Sequence, residues 1–361
     1  MNAASAVNIK PRPIDGYFFE DYRQGQRFAH ATPRTISAGD VALYIALTGA
    51  RQPLHCASTV AQSLGYANCP IDDLLLFNIA FGKTVPDISY NAVANLGYAD
   101  CRFLRPVYID DTIRAETEII GLKENSNGKT GVVYVRSNAL NQRDEIVLTW
   151  ARWVMVTKRT GAPSMSTSTF TPSSAPEFPD FVEKERLAMP AFLKPAAALA
   201  RDTGGARCWD DYQSGEVIYH PAGMTIDNSD HTLATKLYQN TARVHFDQLH
   251  MQDSRFQQRL IYGGHIISVC RALSYDGLEN ALSILAINSG SHTAPTFAGD
   301  TVYASSTVID KWMLNENFGA MRMQLNGFRN WHPAASAAPD AVPNAEQSVL
   351  TLDYTLLMLR H

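Results

Sequence analysis

"FEDYRQGQRFAH", residues 19 to 30, lies without a gap over "WDDYQSGEVIYH", residues 209 to 220, so the chain matches itself at an offset of 190. Self-similarity at a fixed offset marks a repeated structural unit. The same offset pairs Thr35, Ile36 and Asp40 with Thr225, Ile226 and Asp230, then Leu47 with Leu237 and His55 with His245. One residue is then dropped, and an offset of 189 pairs Asn91, Ala92, Leu96, Pro106, Asp111 and Thr112 with Asn280, Ala281, Leu285, Pro295, Asp300 and Thr301. The chain is therefore two copies of one unit of roughly 140 residues, in keeping with a length beyond one ordinary domain. The boundaries read as 17–158 and 208–360, with a linker over 159–207 rich in Ser, Thr, Pro and Ala. A similar stretch at 331–347 splits two apolar runs of the second copy and reads as a long, mobile strand-to-strand loop.

Each copy runs in the same order. After the histidine comes a short amphipathic segment, then an apolar run of helical length, "DDLLLFNIAFGKTV" (72–85) in one copy and "GGHIISVCRALSY" (263–275) in the other. Strand-like runs follow at 111–122, 130–140 and 145–156, and again at 300–310, 319–328 and 348–359, separated by turn signals such as "NSNGKTG". A helix apolar on every side has to be wrapped rather than laid on a surface. The expected fold is α+β, a double hot-dog in which each repeat wraps a long central helix in an antiparallel meander.

Composition narrows the function. The net charge of -4 supplies no basic footprint for nucleic acid or anionic membranes. Five cysteines, odd in number and without CxxC spacing, disfavour a disulfide framework and a zinc site. Residues 1–16 lack the pattern of a secretion signal and read as a flexible lead-in, and no apolar run approaches a membrane span. A cytoplasmic protein is the expectation.

The stretch ahead of each histidine reads Gly49-Ala50-Arg51-Gln52-Pro53-Leu54-His55 in the first copy and Gln239-Asn240-Thr241-Ala242-Arg243-Val244-His245 in the second. Both resemble the Gly-Asp-x-Asn-Pro-x-His motif of the MaoC-like (R)-specific hydratase and dehydratase family. The Pro106, Asp111, Thr112 and Pro295, Asp300, Thr301 spacings resemble it as well. Longer stretches, among them "FGKTVPDIS", "LYQNTARVHF" and "NALSILAINSG", are similar to the branch of that family that hydrates mesaconyl-CoA. The resemblance implies reversible hydration of mesaconyl-CoA to β-methylmalyl-CoA in the ethylmalonyl-CoA route, an acyl-CoA thioester as substrate, and no metal or redox cofactor. Both copies depart from the motif at its Asp, which is Ala50 in one and Asn240 in the other.

Hydrating a double bond conjugated to a thioester builds an enolate-like oxyanion, which needs donors aimed at the thioester oxygen. A helix start built on glycine supplies them through unpaired amides and the helix dipole. The second copy offers Gly263 and Gly264, where the first has Asp73 and Leu74. The second copy is thus expected to be catalytic, with the first a degenerate site and groove wall. His245 is the candidate proton carrier, with a pKa class suited to neutral pH. Asn240 is expected to hold water without ionising beside the substrate's own carboxylate, and Arg243 to clamp that carboxylate. Asp247 is a candidate for the substrate pocket and an alternative second proton carrier, or else the i,i+4 partner of Arg243. His265 is a further candidate for the substrate pocket, or a packed first-turn residue. His55 reads as structural. Arg102, Arg105, Arg136 and Lys158 are all eligible for CoA nucleotide contacts or for plain surface charge. Rival readings are a hydratase for another enoyl-CoA, a hot-dog thioesterase, and a non-catalytic acyl-CoA binder. Two fused units make a pseudo-dimer in one chain, leaving monomer or homo-oligomer open.

Overall fold

A computed structural model describes residues 12–162, 175–195, 199–333 and 342–361. Most of the lead-in, 163–174 and 196–198 of the linker, and 334–341 of the long loop lie outside the described residues. The first repeat consists of β1 (Arg27–Thr35), α1 (Ala38–Thr48), α2 (Pro53–Cys56), α3 (Ser58–Ser63), α4 (Asp73–Ile88), β2 (Ala92–Phe103), β3 (Thr112–Glu124), β4 (Thr130–Leu140) and β5 (Ile146–Thr157). After a short linker helix α5 (Leu199–Thr203), the second repeat follows the same plan. It consists of β6 (Val217–Tyr219), β7 (Met224–Thr225), α6 (Asn228–Leu237), α7 (Arg243–Phe246), α8 (Gln248–Gln252), α9 (Gly263–Leu273), β8 (Ala281–Ser291), β9 (Thr301–Met313), β10 (Phe318–Arg329) and β11 (Ser348–Leu359).

Residues 74–85 of α4 are buried without a break, and α9 is buried from Gly264 to Leu273. Burial on every face requires the sheet to curl around each helix, as the all-round apolar pattern predicts. The strands are not a plain meander, however. The order is β1-β3-β4-β5-β2-β8-β11-β10-β9-β6, so the strand that follows each central helix pairs with the last strand of its own repeat. The apolar-run reading passed over β2 and β8, because Asn95, Gly97, Asp100 and Arg102 break any simple alternation in β2.

These two strands fuse the repeats. β2 and β8 pair antiparallel, Tyr98 opposite Gly290 and Cys101 opposite Ile287. The offset of 189 carries Tyr98 onto Ile287 and Cys101 onto Gly290, so the pairing is its own mirror and defines a pseudo-two-fold axis. Each strand would otherwise be an exposed edge, and pairing removes both edges at once. One apolar cluster runs from Leu75 and Phe77 of α4 through Tyr238 to Ile267 and Val269 of α9, so the halves share a core. Contact between them is close enough that a Cβ on Gly82 would collide with the Tyr238 carbonyl.

The linker lies across both repeats. Leu187, Met189 and Leu193 pack with the cluster that holds Leu54, Tyr66 and Leu285. Arg186 bonds Asp100, which also pairs with Arg102 and Arg136. Arg105 pairs with Glu145, and Lys158 with Glu124.

Candidate active site

The helix α6 ends at Tyr238, and Gln239 takes a left-handed φ of 53° that turns the chain back. Asn240 is buried, and its Oδ1 accepts from the Ala242 amide at 3.1 Å, an Asx-type turn that launches α7. His245 is carried on α7, half-buried, with its ring 5.6 Å from that of Tyr262 and edge-on to it. Its Nδ1 is 2.8 Å from the Leu260 carbonyl. A carbonyl only accepts, so Nδ1 bears the hydrogen and Nε2 keeps its lone pair. Burial lowers the His245 pKa to about 4, against the opposing pull of the Leu260 bond.

The neighbouring helix start differs between repeats in what it does with its amides. In the first repeat Asp72 is the N-cap of α4, and its Oδ1 accepts from the Leu74 amide at 2.8 Å. The next carboxylate, Asp73, accepts from the Ile284 amide at 2.7 Å and lies 3.8 Å from His55 Nε2. In the second repeat Tyr262 stands in for Asp72, Gly263 for Asp73 and Gly264 for Leu74. Tyr262 makes no side-chain cap, so the Gly263 and Gly264 amides, which a helix leaves unpaired, remain available to a ligand. The space filled by the Asp73 carboxylate in one repeat is taken by the ring of His292 in the other.

The first site is also roofed. His55, buried and held by the Pro70 carbonyl at 3.1 Å, faces a cavity of about 30 Å³ lined by Asp73, Tyr66, Phe103, Ile284 and the linker residues Ala188 and Pro190. That is room for about one water and for no acyl group. Burial raises the Asp73 pKa to about 6, with His55 pulling the other way.

Arg243 rests its guanidinium 4.5 Å over the Tyr90 ring and makes no ion pair among the described residues. The Arg243 to Asp247 pair does not form, because α7 stops at Phe246 and Asp247 is extended. Asp247 is exposed and is not brought to the site. Its Oδ1 accepts from the His250 amide at 3.0 Å to cap α8. His265 also falls outside the cleft. It is 1 % exposed, on a face of α9 turned into the core, with Nδ1 3.2 Å from the Tyr238 hydroxyl.

One site residue escaped the sequence reading. His292, just past β8, is half-buried with its ring directly over Gly263, where a Cβ would run into it. Its Nε2 is 3.3 Å from the hydroxyl of Tyr98, contributed by the other repeat. The signal was present in the self-comparison, since the offset of 189 pairs His292 with Phe103. Burial, and then the field of His245, lowers the His292 pKa to about 4.

These shifts set a pH expectation. A histidine whose pKa is lowered from 6.5 stays neutral as the pH falls, so the imidazole at 245 keeps its lone pair well below pH 6. The profile of kcat/KM is therefore expected to be flat from pH 8 to about 5, with its acid limb nearer 4. The folded state also disfavours protonated His231, His245, His265 and His292, so their contribution to stability is present above pH 6.5 and is lost as pH falls towards 4. Circular dichroism in parallel separates the two effects. An acid limb at 6.5 in fully folded protein contradicts the burial of this base.

Among the described residues no group of three or more His, Cys, Asp or Glu could hold a metal ion, and no helix is long and apolar enough to cross a membrane.

Comparison with known proteins bears on fold and family. The chain is 50 % identical over 359 residues to the β-methylmalyl-CoA dehydratase of Chloroflexus aurantiacus, covering 98 % of this chain and 99 % of that one. It is 47 % identical over 350 residues to the mesaconyl-CoA hydratase of Cereibacter sphaeroides, covering 96 % and 98 %. A solved structure described as a MaoC domain protein dehydratase from Chloroflexus aurantiacus superposes with a TM-score of 0.89 at 49 % identity, over 98 % of this chain and 99 % of that one. A Mycobacterium tuberculosis protein described as having a double hotdog fold superposes at 0.76 with 23 % identity, over 96 % and 99 %, a likeness of fold alone. The family model described as mesaconyl-CoA hydratase matches residues 6–332. The chain belongs to the mesaconyl-CoA hydratase family.

Proposed function

We propose that the chain hydrates mesaconyl-CoA reversibly to β-methylmalyl-CoA, in the cleft between α7 and the start of α9 in the second repeat. The observation that carries the reading is the uncapped glycine start of α9 beside an imidazole whose Nε2 lone pair is free, where the first repeat has a capped amide and a carboxylate. The names of relatives at 50 % and 47 % identity supply the acyl group.

In the hydration direction the thioester oxygen accepts from the Gly263 and Gly264 amides, which favour the enolate-like charge that develops there. His245 Nε2 takes a proton from water as the water oxygen bonds to the β-carbon. The α-carbon is protonated in turn, and a syn addition lets His245 return the proton it took. With its Oδ1 spent on the α7 turn, Asn240 acts chiefly by fixing the helix that carries His245, and only its amide hydrogens remain for a water. Arg243 pairs with the free carboxylate of mesaconyl-CoA, for which an Asp at position 240 would be a like-charged neighbour at a cost of about 4 kcal/mol at 4 Å and an effective dielectric near 20.

The test is loss of conjugated-thioester absorbance with mesaconyl-CoA and with crotonyl-CoA, for the wild type and for Arg243→Ala. Wild-type turnover of mesaconyl-CoA is expected. Arg243→Ala is expected to lose roughly tenfold or more on mesaconyl-CoA and little on crotonyl-CoA, the weight of one charge-assisted contact. Equal losses on both substrates remove the clamp role. Free thiol released in step with turnover would point to thioester hydrolysis instead.

A further inference from the structure

Gly263 has an ordinary explanation, the close approach of a ligand, and a second one that nothing in the reaction scheme has used. The ring of His292 occupies the space a side chain at 263 would need. The imidazole is half-buried, unlike His265, and it is not loose. Tyr98 holds its Nε2 at 3.3 Å and lies edge-on with ring centroids 5.9 Å apart. Tyr98 is itself 2 % exposed and packed against Phe77 and Phe81 of α4. Each repeat thus supplies half of this contact. In the first repeat the same position is Phe103, facing an Asp rather than a glycine, so the imidazole occurs only where the helix start is uncapped.

We propose that His292 is a catalytic residue that donates an N–H to the thioester oxygen beside the Gly263 and Gly264 amides, with Tyr98 as its positioning residue. This rests on the hydratase reading of the site. An imidazole kept neutral by burial, as His292 is, carries one N–H; on Nε2, the nitrogen nearest Gly263, that hydrogen is held by the Tyr98 hydroxyl oxygen as acceptor and turns to the thioester oxygen when substrate binds, polarising the carbonyl without adding a charge that would have to be desolvated. No bond to His292 forms or breaks. The proton of the added water and that of the α-carbon balance through His245 as before, while His292 lowers the energy of the oxyanion between them.

His292→Phe copies the first repeat and keeps an aromatic ring over Gly263. It is expected to lower kcat for mesaconyl-CoA about 10²-fold to 10³-fold with little change in KM, the usual effect of removing one oxyanion donor. His292→Gln retains a donor amide and is expected to keep a tenth or more of wild-type kcat. The spectroscopic readout is the thioester carbonyl stretch of mesaconyl-CoA bound to His245→Ala, by infrared difference. It is expected below its free value, and His292→Phe added to that background is expected to move it back towards free. An unmoved stretch, or a kcat within threefold of wild type in His292→Phe, overturns the proposal. Should His292→Phe fail to fold, His292→Leu takes its place in the His245→Ala background, a stretch moved back towards free supporting the donor and an unmoved stretch sinking it. If wild-type protein leaves mesaconyl-CoA untouched, the hydratase reading itself fails, a result separate from any effect at 292.

Discussion

His245→Ala is expected to lower kcat on mesaconyl-CoA by about 10³-fold to 10⁴-fold, the largest loss of any single truncation in the chain. Among the described residues its Nε2 is the only imidazole lone pair that is both fixed by a bond from the opposite nitrogen to a backbone carbonyl and carried at the uncapped helix start. Truncation leaves the Leu260 carbonyl without its donor, but the position is half-buried and water can replace the bond, so the cost in thermal stability is expected to be small. KM is expected to change little, because the proton transfer is made in the transition state and not in the bound complex. The matched control is His55→Ala. His55 is held in the same way, by Pro70, yet faces a roofed cavity with a carboxylate in it, and its loss is expected to leave kcat within about threefold while lowering the melting temperature. A His245→Ala enzyme within tenfold of wild type would remove the imidazole from the chemistry.

Gly263→Asp is the second large effect, and it asks the second repeat to become its twin. The first repeat tolerates Asp73 in the same helix start, with Oδ2 bonded to the Ile284 amide, so the fold itself can house a carboxylate there. In the second repeat the new Cβ would displace the His292 ring, and the carboxylate would enter the space meant for the thioester oxygen. At about 4 Å and an effective dielectric near 20, repulsion of the oxyanion costs on the order of 4 kcal/mol, or roughly 10³-fold in rate. A loss of kcat/KM of about that size or more is expected, with the circular dichroism spectrum and melting temperature near wild type. Gly263→Ala, which adds only the steric part, is expected to lose about 10²-fold. Were the Asp variant to retain a tenth of wild-type activity, the glycine start of α9 would not be where charge develops.

The fold was unusually legible for a chain of this length, because it is written twice. A one-copy reading of "DDLLLFNIAFGKTV" leaves helix and strand open, whereas finding "GGHIISVCRALSY" at the same place in the second copy fixes a central helix in each. Of the candidate site residues, the structure brings some together and places others elsewhere. The His245 position and the glycines follow from comparing copies, and so, in hindsight, does His292, since Phe103 stands opposite it. Asp247 and His265 were drawn in by closeness along the chain. Neither reaches the cleft, one because it caps α8 and the other because its face of α9 looks into the core.

By itself the sequence determined the duplication, the two wrapped helices and which copy kept an uncapped start, since all three are carried by residue type and spacing. Tertiary structure alone decided that β2 and β8 join the repeats into one sheet, that linker residues Ala188 and Pro190 close the first site, and that Tyr98 reaches across to hold His292. The physical reason is common to the three. Strand pairing, the path of a linker and a hydrogen bond between repeats link residues far apart in the chain, and what selects them is edge satisfaction and packing, which leave no periodic mark on either segment.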